Sequence, residues 1–246
     1  RPDGGRDEGP AMISVTAAYG ERHARYLIGL GRSWPRWNKE RLLVFSDLPL
    51  ALPDGLVLDR SIGRSALEES LPGTPFYTKK ILILKKAATK YGAGDVFWID
   101  ADSLVFLRIS DVLVPGRLNA VTYGCPGDLR DCKGGLLVPQ VEFLLNGIFS
   151  LPSDLVCEWE EIVRRHLAEP GEGCPEMEAW NHLARRHSDR VELLDQRAPG
   201  LVWNLPHEHP TPSNASWCRG LGLDRGTLAL EGRRFGVLQW ISYALG

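Results

Sequence analysis

Asp100 and Asp102, two aspartates separated by one alanine, are the residues of this chain best suited to chemistry. They directly follow an apolar run at residues 96–99, which predicts a buried strand that ends where the carboxylates begin. Neighbouring carboxylates repel each other, and a divalent cation relieves that repulsion. Mg²⁺ and Mn²⁺ prefer such oxygen ligands and commonly share them with substrate phosphates. The alternative is an exposed turn after the strand, without any ligand.

Lys80 has an unusual place on a predicted helix at residues 78–91. At about 100° per residue, the apolar positions of this helix form one stripe: Ile83, Leu84, Ala87 and Tyr91. Lys79, Lys86 and Lys90 share a different face, which predicts a solvated stripe of lysines. Lys80 projects from the apolar stripe in the first turn, where the helix dipole disfavours a cation. It therefore needs an anion, and two remain open: a ligand diphosphate or a structural carboxylate at the edge of the core.

Glu176 and Glu178 lie in the first turn of another predicted helix, residues 175–187. Its buried face is predicted to consist of Met177, Trp180, Leu183 and Ala184. Glu176 lies at the edge of that face, whereas Glu178 points away from it, near His182 and Arg185. Glutamates at this end of a helix are stabilising by themselves, so a purely structural role is the alternative. The inward position favours Glu176 over Glu178 as a functional group.

The elements that must position these residues alternate between strands and helices. Hydrophobic periodicity predicts strands at residues 12–16, 41–45, 56–58, 95–99, 118–123, 143–150 and 235–243, helices at 21–34, 78–91, 155–167 and 175–187, and loops at 49–75 and 198–217. The alternation predicts an α/β fold with a mixed but mostly parallel, doubly wound sheet and helices on both faces. In such folds the site lies at the C-terminal edge of the strands.

Composition excludes several classes of protein. The chain has 246 residues and a formal net charge of −2, which argues against a dedicated nucleic-acid binder. No apolar run approaches the roughly 18 residues of a membrane span, so no integral membrane segment is predicted. The 5 cysteines include no C-x-x-C pair, which favours a reducing, cytoplasmic location. Residues 1–10 are predicted to be a disordered tail before a single domain, and nothing fixes the oligomeric state.

A family resemblance covers short stretches across most of the chain. Residues 79–106 (KKILILKKAATKYGAGDVFWIDADSLVF) resemble the central part of nucleotide-sugar glycosyltransferases with the GT-A fold. The likeness is greatest to family 8, the retaining group that includes glycogenin and galactosyltransferases. Residues 15–19, 146–149 and 176–181 resemble the family's first strand and turn, its Asn-x-Gly strand and its acidic D-Q-D-x-x-N segment. The resemblance implies a single GT-A-like domain at 11–246, with a nucleotide-binding half (11–115) and an acceptor-side half (116–246).

The resemblance also implies roles for individual residues. The nucleotide and its diphosphate would be held by Thr16, Ala17, Ala18, Tyr19, Lys80, Asp100, Ala101 and Asp102. The metal would be Mn²⁺ or Mg²⁺ on Asp100 and Asp102, and Asn146, Glu176 and Glu178 would lie at the reacting centre. The family commonly adds a C-terminal histidine ligand, but Gln239 occupies that place, so Gln239, His207 and His209 are alternative third ligands.

The implied activity is transfer of a sugar from a UDP- or GDP-linked donor to a sugar-containing or small-molecule acceptor, with retention of configuration. Asp100-Ala101-Asp102-Ser103 is also close to the nucleophile motif of haloacid-dehalogenase-type phosphatases, although that class carries it on the first strand. A nucleotidyltransferase would need a glycine-rich, basic first turn, which residues 17–20 lack. A nucleotide- or sugar-binding relative without catalysis remains the non-enzymatic alternative.

Overall fold

A computed structural model describes most of the chain. The described residues are 12–105, 107–122, 128–129, 138–139, 144–168, 175–194, 202–204 and 237–239. The predicted tail at residues 1–10 lies outside them. Among the described helices, none has the length and apolar character needed to cross a bilayer. Cys157 is an exposed free thiol, and the other cysteines lie outside the described residues.

Strands and helices alternate along the chain. The first part contains β1 (Met12–Ala17), α1 (Gly20–Trp37), β2 (Leu42–Phe45), β3 (Leu56–Asp59), α2 (Arg64–Ser70), α3 (Lys80–Tyr91) and β4 (Asp95–Ile99). The second part contains β5 (Ser103–Val105), β6 (Leu118–Thr122), β7 (Asp128–Leu129), β8 (Val138–Pro139), β9 (Leu144–Pro152), α4 (Ser153–Ala168), α5 (Pro175–Arg186), β10 (Val191–Leu193), β11 (Val202–Asn204) and β12 (Val237–Gln239).

Seven strands form one mixed sheet, in the order β10-β6-β9-β4-β1-β2-β3. The pairs β1–β2, β1–β4, β2–β3 and β10–β6 are parallel. β9 is antiparallel to both of its neighbours, β4 and β6. The predicted α/β class with a mixed sheet is therefore confirmed. Because β9 runs in reverse, its first residues lie at the same edge as the C-terminal ends of β1 and β4.

Helices cover both faces of the sheet. On one face, α3, α4 and α5 pack over a cluster that includes Val96, Trp98 and Phe149. On the other face, α1 packs over Phe97 and Ile99 through its buried stripe, Leu27, Leu30 and Trp34. Side chains alternate along a strand, so successive residues of β4 enter opposite layers. A strand that is apolar on both faces must be central, as the sequence of β4 indicated.

The start of α3 differs from the prediction. Residues Phe76–Lys79 form a 3₁₀ helix, and the α-helix begins only at Lys80. Lys79 is buried and its ammonium contacts the carboxylate of Glu68 and the carbonyl of Thr74, so its predicted place on a solvated face is wrong. The reason is geometric: a 3₁₀ turn advances about 120° per residue, and extending the α-helical projection through it misplaces the side chain. At the other end, Tyr91 is 41% exposed instead of continuing the buried stripe.

Several short elements were not predicted. α2 lies inside the segment predicted to be a loop with one short strand, and β11 lies inside the segment predicted to be irregular. β5 and β10 were likewise not among the predicted strands. Elements of three to seven residues are too short to show a periodicity that can be recognised from sequence. β5, β11 and β12 form a separate three-stranded sheet. Its strand β5 begins at Ser103, directly after the two aspartates in the sequence.

Candidate functional site

Asp100 and Asp102 lie in the tight turn that ends β4. The backbone N–H of Asp100 donates to the carbonyl of Gly147 at 2.9 Å, which ties the turn to β9. The N–H of Ser103 donates back to the carbonyl of Asp100 at 3.1 Å, which closes the turn. Ala101, between the two acids, is buried on the α1 side of the sheet. The structure thus holds both carboxylates at the C-terminal edge of a central strand.

Asp102 has a buried carboxylate oxygen. Its Oδ1 has no hydrogen-bond partner among the described residues. Burial, and then the charge of Asp100, raise the pKa of Asp102 well above its ordinary value, although Lys80 opposes this effect. A backbone hydrogen bond also opposes the rise, but a buried carboxylate oxygen without a partner is costly, and a cation would relieve that cost. The pair therefore fits a hard divalent cation that takes its remaining ligands from phosphate and water.

Within the described residues, Asp100 and Asp102 are the acidic side chains that we assign to this candidate metal centre. No group of three or more His, Cys, Asp or Glu side chains there is arranged to hold a metal ion. Gln239, one of the predicted third ligands, lies on β12 with its backbone paired to Ser103. β12 therefore runs beside the turn that carries the acids. His207 and His209 lie outside the described residues.

Lys80 is buried at the start of α3 and has an anionic partner. Its Nζ lies 2.7 Å from Oε1 of Glu176, and the two side chains are 6% and 2% exposed. The same ammonium donates to the backbone carbonyl of Asn146 at 2.9 Å and to its Oδ1 at 3.2 Å. The sequence left two possible anionic partners for Lys80, and the structure shows a contact with one of them, a carboxylate at the edge of the core. Lys80, Asn146 and Glu176 thus form one buried polar cluster, contributed by α3, β9 and α5.

The amide of Asn146 also fixes Glu176, because its Nδ2 donates to Oε1 of the carboxylate. Burial raises the pKa of Glu176 above its ordinary value, although the ion pair with Lys80 and this hydrogen bond act in the opposite direction. Glu178 is separate from the cluster: its side chain is 37% exposed and its Oε2 lies 3.5 Å from Nδ1 of His166 on α4. The structure brings Asn146 and Glu176 together and leaves Glu178 outside.

A bulge in β9 accompanies the position of Asn146. β9 pairs with β4 without interruption from Pro152 to Ile148. Against β6, Ser150 pairs with Asn119 but the next recorded pair is Leu145 with Val121, so the register shifts and β9 contains extra residues. Bulges interrupt the ladder and re-aim side chains, often beside functional sites. Here the interruption coincides with the carbonyl and the amide that Lys80 contacts.

The first turn places Thr16, Ala17 and Ala18 beside this edge. Thr16 is fully buried at the end of β1, and its Oγ1 has no partner among the described residues. Ala17 is partly buried, and Ala18 is held by two hydrogen bonds. Its N–H donates to the carbonyl of Phe45 at 2.9 Å, and its carbonyl accepts from Oγ of Ser46 at 2.6 Å. The turn is therefore rigid, with one hydroxyl available inside it.

Tyr19 is buried and supports the turn. Its hydroxyl donates to the carbonyl of Ile62 at 2.8 Å, and its ring packs on Phe76 with centroids 4.9 Å apart. Burial, and then nearby carboxylates, raise the pKa of Tyr19 above its ordinary value. The hydroxyl of Tyr19 thus has a protein partner, in contrast to that of Thr16.

Trp98 is the site residue that the sequence interpretation missed. Its Nε1 donates to Oδ1 of Asp100 at 2.6 Å. The Nζ of Lys80 lies 5.7 Å from the centroid of the Trp98 ring. A signal existed, because residues two apart on a strand share a face, so an indole at position 98 extends toward a carboxylate at position 100.

No protein-family model matches the chain, and no curated protein matches its sequence significantly.

Proposed function

We propose that this chain is a glycosyltransferase that moves a sugar from a UDP- or GDP-linked donor to an acceptor hydroxyl. The observation that carries the proposal is the buried Oδ1 of Asp102, which has no partner among the described residues and lies beside the second carboxylate of Asp100. Thr16 and Ser103 add two more buried hydroxyls that lack a partner among the described residues, one near the end of β1 and one at the start of β5. Buried polar atoms that lack protein partners are expected where a polar ligand binds.

Asp100 and Asp102 would hold the divalent cation, together with phosphate oxygens. A cation bound there supplies Lewis-acid stabilisation of the diphosphate leaving group. The chain's own contribution is to fix both carboxylates through the backbone bonds of the turn. Lys80 adds positive charge that already acts on Asp102 and favours negative charge at this edge of the sheet.

In this proposal, Glu176 would act on the sugar or on the acceptor. A buried carboxylate can stabilise the positive charge that develops on the sugar as its bond to phosphate breaks. Because burial raises its pKa, Glu176 is also a better proton acceptor than an exposed glutamate for the attacking hydroxyl. Asn146 orients the carboxylate in either role, since its amide donates to Oε1.

The test is ligand-dependent thermal stability with UDP or GDP, each with and without Mn²⁺. Binding at 100 times Kd stabilises a protein by about 2.7 kcal/mol, which shifts Tm by roughly 5–10 °C for a chain of this size. Asp102→Asn is expected to lose the Mn²⁺-dependent shift. Asp111→Asn is the matched control, because that carboxylate is 66% exposed and lies 3.8 Å from Arg108; it is expected to keep the shift.

The other outcomes identify the rival functions. Absence of any nucleotide response together with hydrolysis of an aryl phosphate contradicts the proposal and indicates a phosphatase that uses Asp100. Metal-dependent nucleotide binding without hydrolysis or transfer from any UDP- or GDP-sugar contradicts catalysis and indicates a binding protein. A full shift in Asp102→Asn contradicts the assignment of the metal ligands.

A further inference from the structure

We propose that Trp98 is a positioning residue that orients the carboxylate of Asp100 toward the cation. The inference rests on the proposed function, because it assigns a role within the same metal centre. Trp98 is 4% exposed, so its indole ring is held by the surrounding core and cannot turn into solvent. Its Nε1–Oδ1 distance of 2.6 Å to Asp100 is that of a short hydrogen bond to a charged acceptor. One oxygen of Asp100 is therefore held by a rigid donor.

Among the buried tryptophans on this face of the sheet, Trp98 differs from Trp159 and Trp180 in having an acceptor for its indole N–H. Trp159 and Trp180 are also buried on this face of the sheet, and neither indole N–H has a partner among the described residues. Burial alone thus does not give an indole an acceptor in this protein. Trp98 obtains one because it lies two residues before Asp100 on the same strand, on the same face.

The same ring also contacts the opposite charge of the site. The ammonium of Lys80 lies 5.7 Å from its centroid, within the range of a cation–π interaction. Trp98 therefore presents its N–H edge to an anion and its ring to a cation. Residues that hold metal ligands in this way fix their orientation, and their loss typically lowers metal affinity by 10–100-fold. Trp98 is thus expected to control the affinity for the cation without being a ligand.

Trp98→Phe is the decisive variant, because it removes the N–H donor and keeps an aromatic ring near Lys80. Trp34→Phe is the matched control: Trp34 is 1% exposed and its Nε1 donates to the carbonyl of Glu40 at 2.9 Å, on α1. Mn²⁺ affinity is measured by the electron paramagnetic resonance signal of the free ion, with UDP or GDP present and with the same nucleotide without protein as the reference. We expect Trp98→Phe to weaken Mn²⁺ binding by roughly 10–100-fold and Trp34→Phe to leave it within about twofold.

Each result has a distinct meaning. If wild-type protein binds no Mn²⁺ with either UDP or GDP, the proposed function fails and the role of Trp98 fails with it. If wild-type protein and Trp98→Phe bind Mn²⁺ equally, only the role of Trp98 is overturned. Equal losses in Trp98→Phe and Trp34→Phe also overturn it, because they indicate a general effect on stability.

A second measurement needs no variant, in case Trp98→Phe does not fold. The indole N–H resonance of Trp98, assigned in ¹⁵N-labelled wild-type protein, is followed while Mg²⁺ and UDP are added. We expect this resonance to shift on saturation while that of Trp34 does not. Saturation without any shift at Trp98 overturns the inference.

Discussion

Lys80 and Glu176 carry opposite charges in a part of the protein that excludes water. Such a pair gives weak net stabilisation, because removing both charges from water costs nearly as much as their attraction returns. Its members nevertheless depend on each other, since removing either one leaves the other charge buried without its ion-pair partner. Asn146 supplies additional hydrogen bonds to both.

Lys80→Met is therefore expected to lower the free energy of unfolding by about 3–5 kcal/mol. The pKa of Glu176, already raised by burial, is expected to rise further, so the loss is largest at high pH and smaller as pH falls through that pKa. Urea unfolding at several pH values measures both effects.

Lys85→Met is the control for that substitution. Lys85 pairs with Glu160 at 2.7 Å but is 46% exposed, so its loss should cost no more than about 1 kcal/mol. A cost this small for Lys80→Met would contradict a buried pair. The combined Lys80→Met and Glu176→Gln variant should recover part of the stability lost in Lys80→Met.

Some of the site residues could be placed from the sequence alone, and others could not. The place of Asp100 and Asp102 follows from local information, because an apolar strand followed directly by two acids positions them at its C-terminal tip. The need of Lys80 for an anion also follows, from its position on a helical face. The identity of that anion does not follow, because Glu176 reaches it only through the packing of α5 beside α3 and β9.

At the scale of elements, α3 is fixed along its length by charged contacts. Lys85 near its middle contacts Glu160 on α4, and Lys90 in its last turn contacts Asp59 at the end of β3, at 2.9 Å. Gly92 ends the helix with φ +60°, a conformation that favours glycine. These contacts add to the buried apolar side chains of α3, which pack the helix whose first residue is Lys80 onto the sheet.

Asp59 provides a pH test of this anchoring. Burial alone would raise its pKa, but hydrogen bonds from Lys90, Ser61 and Tyr91 outweigh burial and lower the pKa of Asp59 from 3.8 to about 2. A carboxylate with a lowered pKa stabilises the fold above its unfolded pKa, and that contribution is lost as pH falls from about 5 toward 2. The shift corresponds to about 2 kcal/mol at pH 7.

Asp59→Asn is expected to remove this contribution and to flatten the pH dependence of the unfolding free energy between about pH 5 and pH 2. Denaturant unfolding across that range measures it. The control is Asp54→Asn, at an exposed carboxylate in the loop before β3. Unchanged pH dependence in Asp59→Asn would contradict the role given to these hydrogen bonds.

At the scale of the whole molecule, three aromatic residues join the sheet to α4 and α5. The ring centroids of Phe149 and Trp159 are 5.5 Å apart, those of Phe149 and Trp180 are 4.5 Å apart, and those of the two tryptophans are 5.1 Å apart. All three side chains are completely buried. The cluster ties the layer that carries Glu176 to the strand that carries Asn146.

Trp159→Ala is expected to lower the free energy of unfolding by about 3–5 kcal/mol, because it leaves a cavity in this cluster. Trp37→Ala, at a side chain that is 42% exposed, should change it by no more than about 0.5 kcal/mol. Chemical unfolding followed by circular dichroism compares the two. Similar costs would contradict the central place of the cluster.

The α/β class and the longer elements were predictable, because α1, α4 and α5 have clear helical periodicity and β4 is apolar on both faces. The order of strands was not, since nothing local distinguishes an antiparallel β9 from another parallel strand. That reversal brings the beginning of β9 to the edge where β4 ends. The meeting of Asn146 with Lys80 thus depends on topology, which only the folded chain reveals.

The pairing of β9 with β4 and β6 limits where residues can be inserted into β9. Within β9 the residue count is fixed by the regular pairing with β4, from Ile148 to Pro152. Because side chains alternate along a strand, inserting one residue between Asn146 and Ile148 would turn the amide away from Lys80. Insertions before Leu144 could be absorbed outside the strand. A related chain would therefore have to keep the spacing from Asn146 to Pro152, whereas many of the residues in between could change.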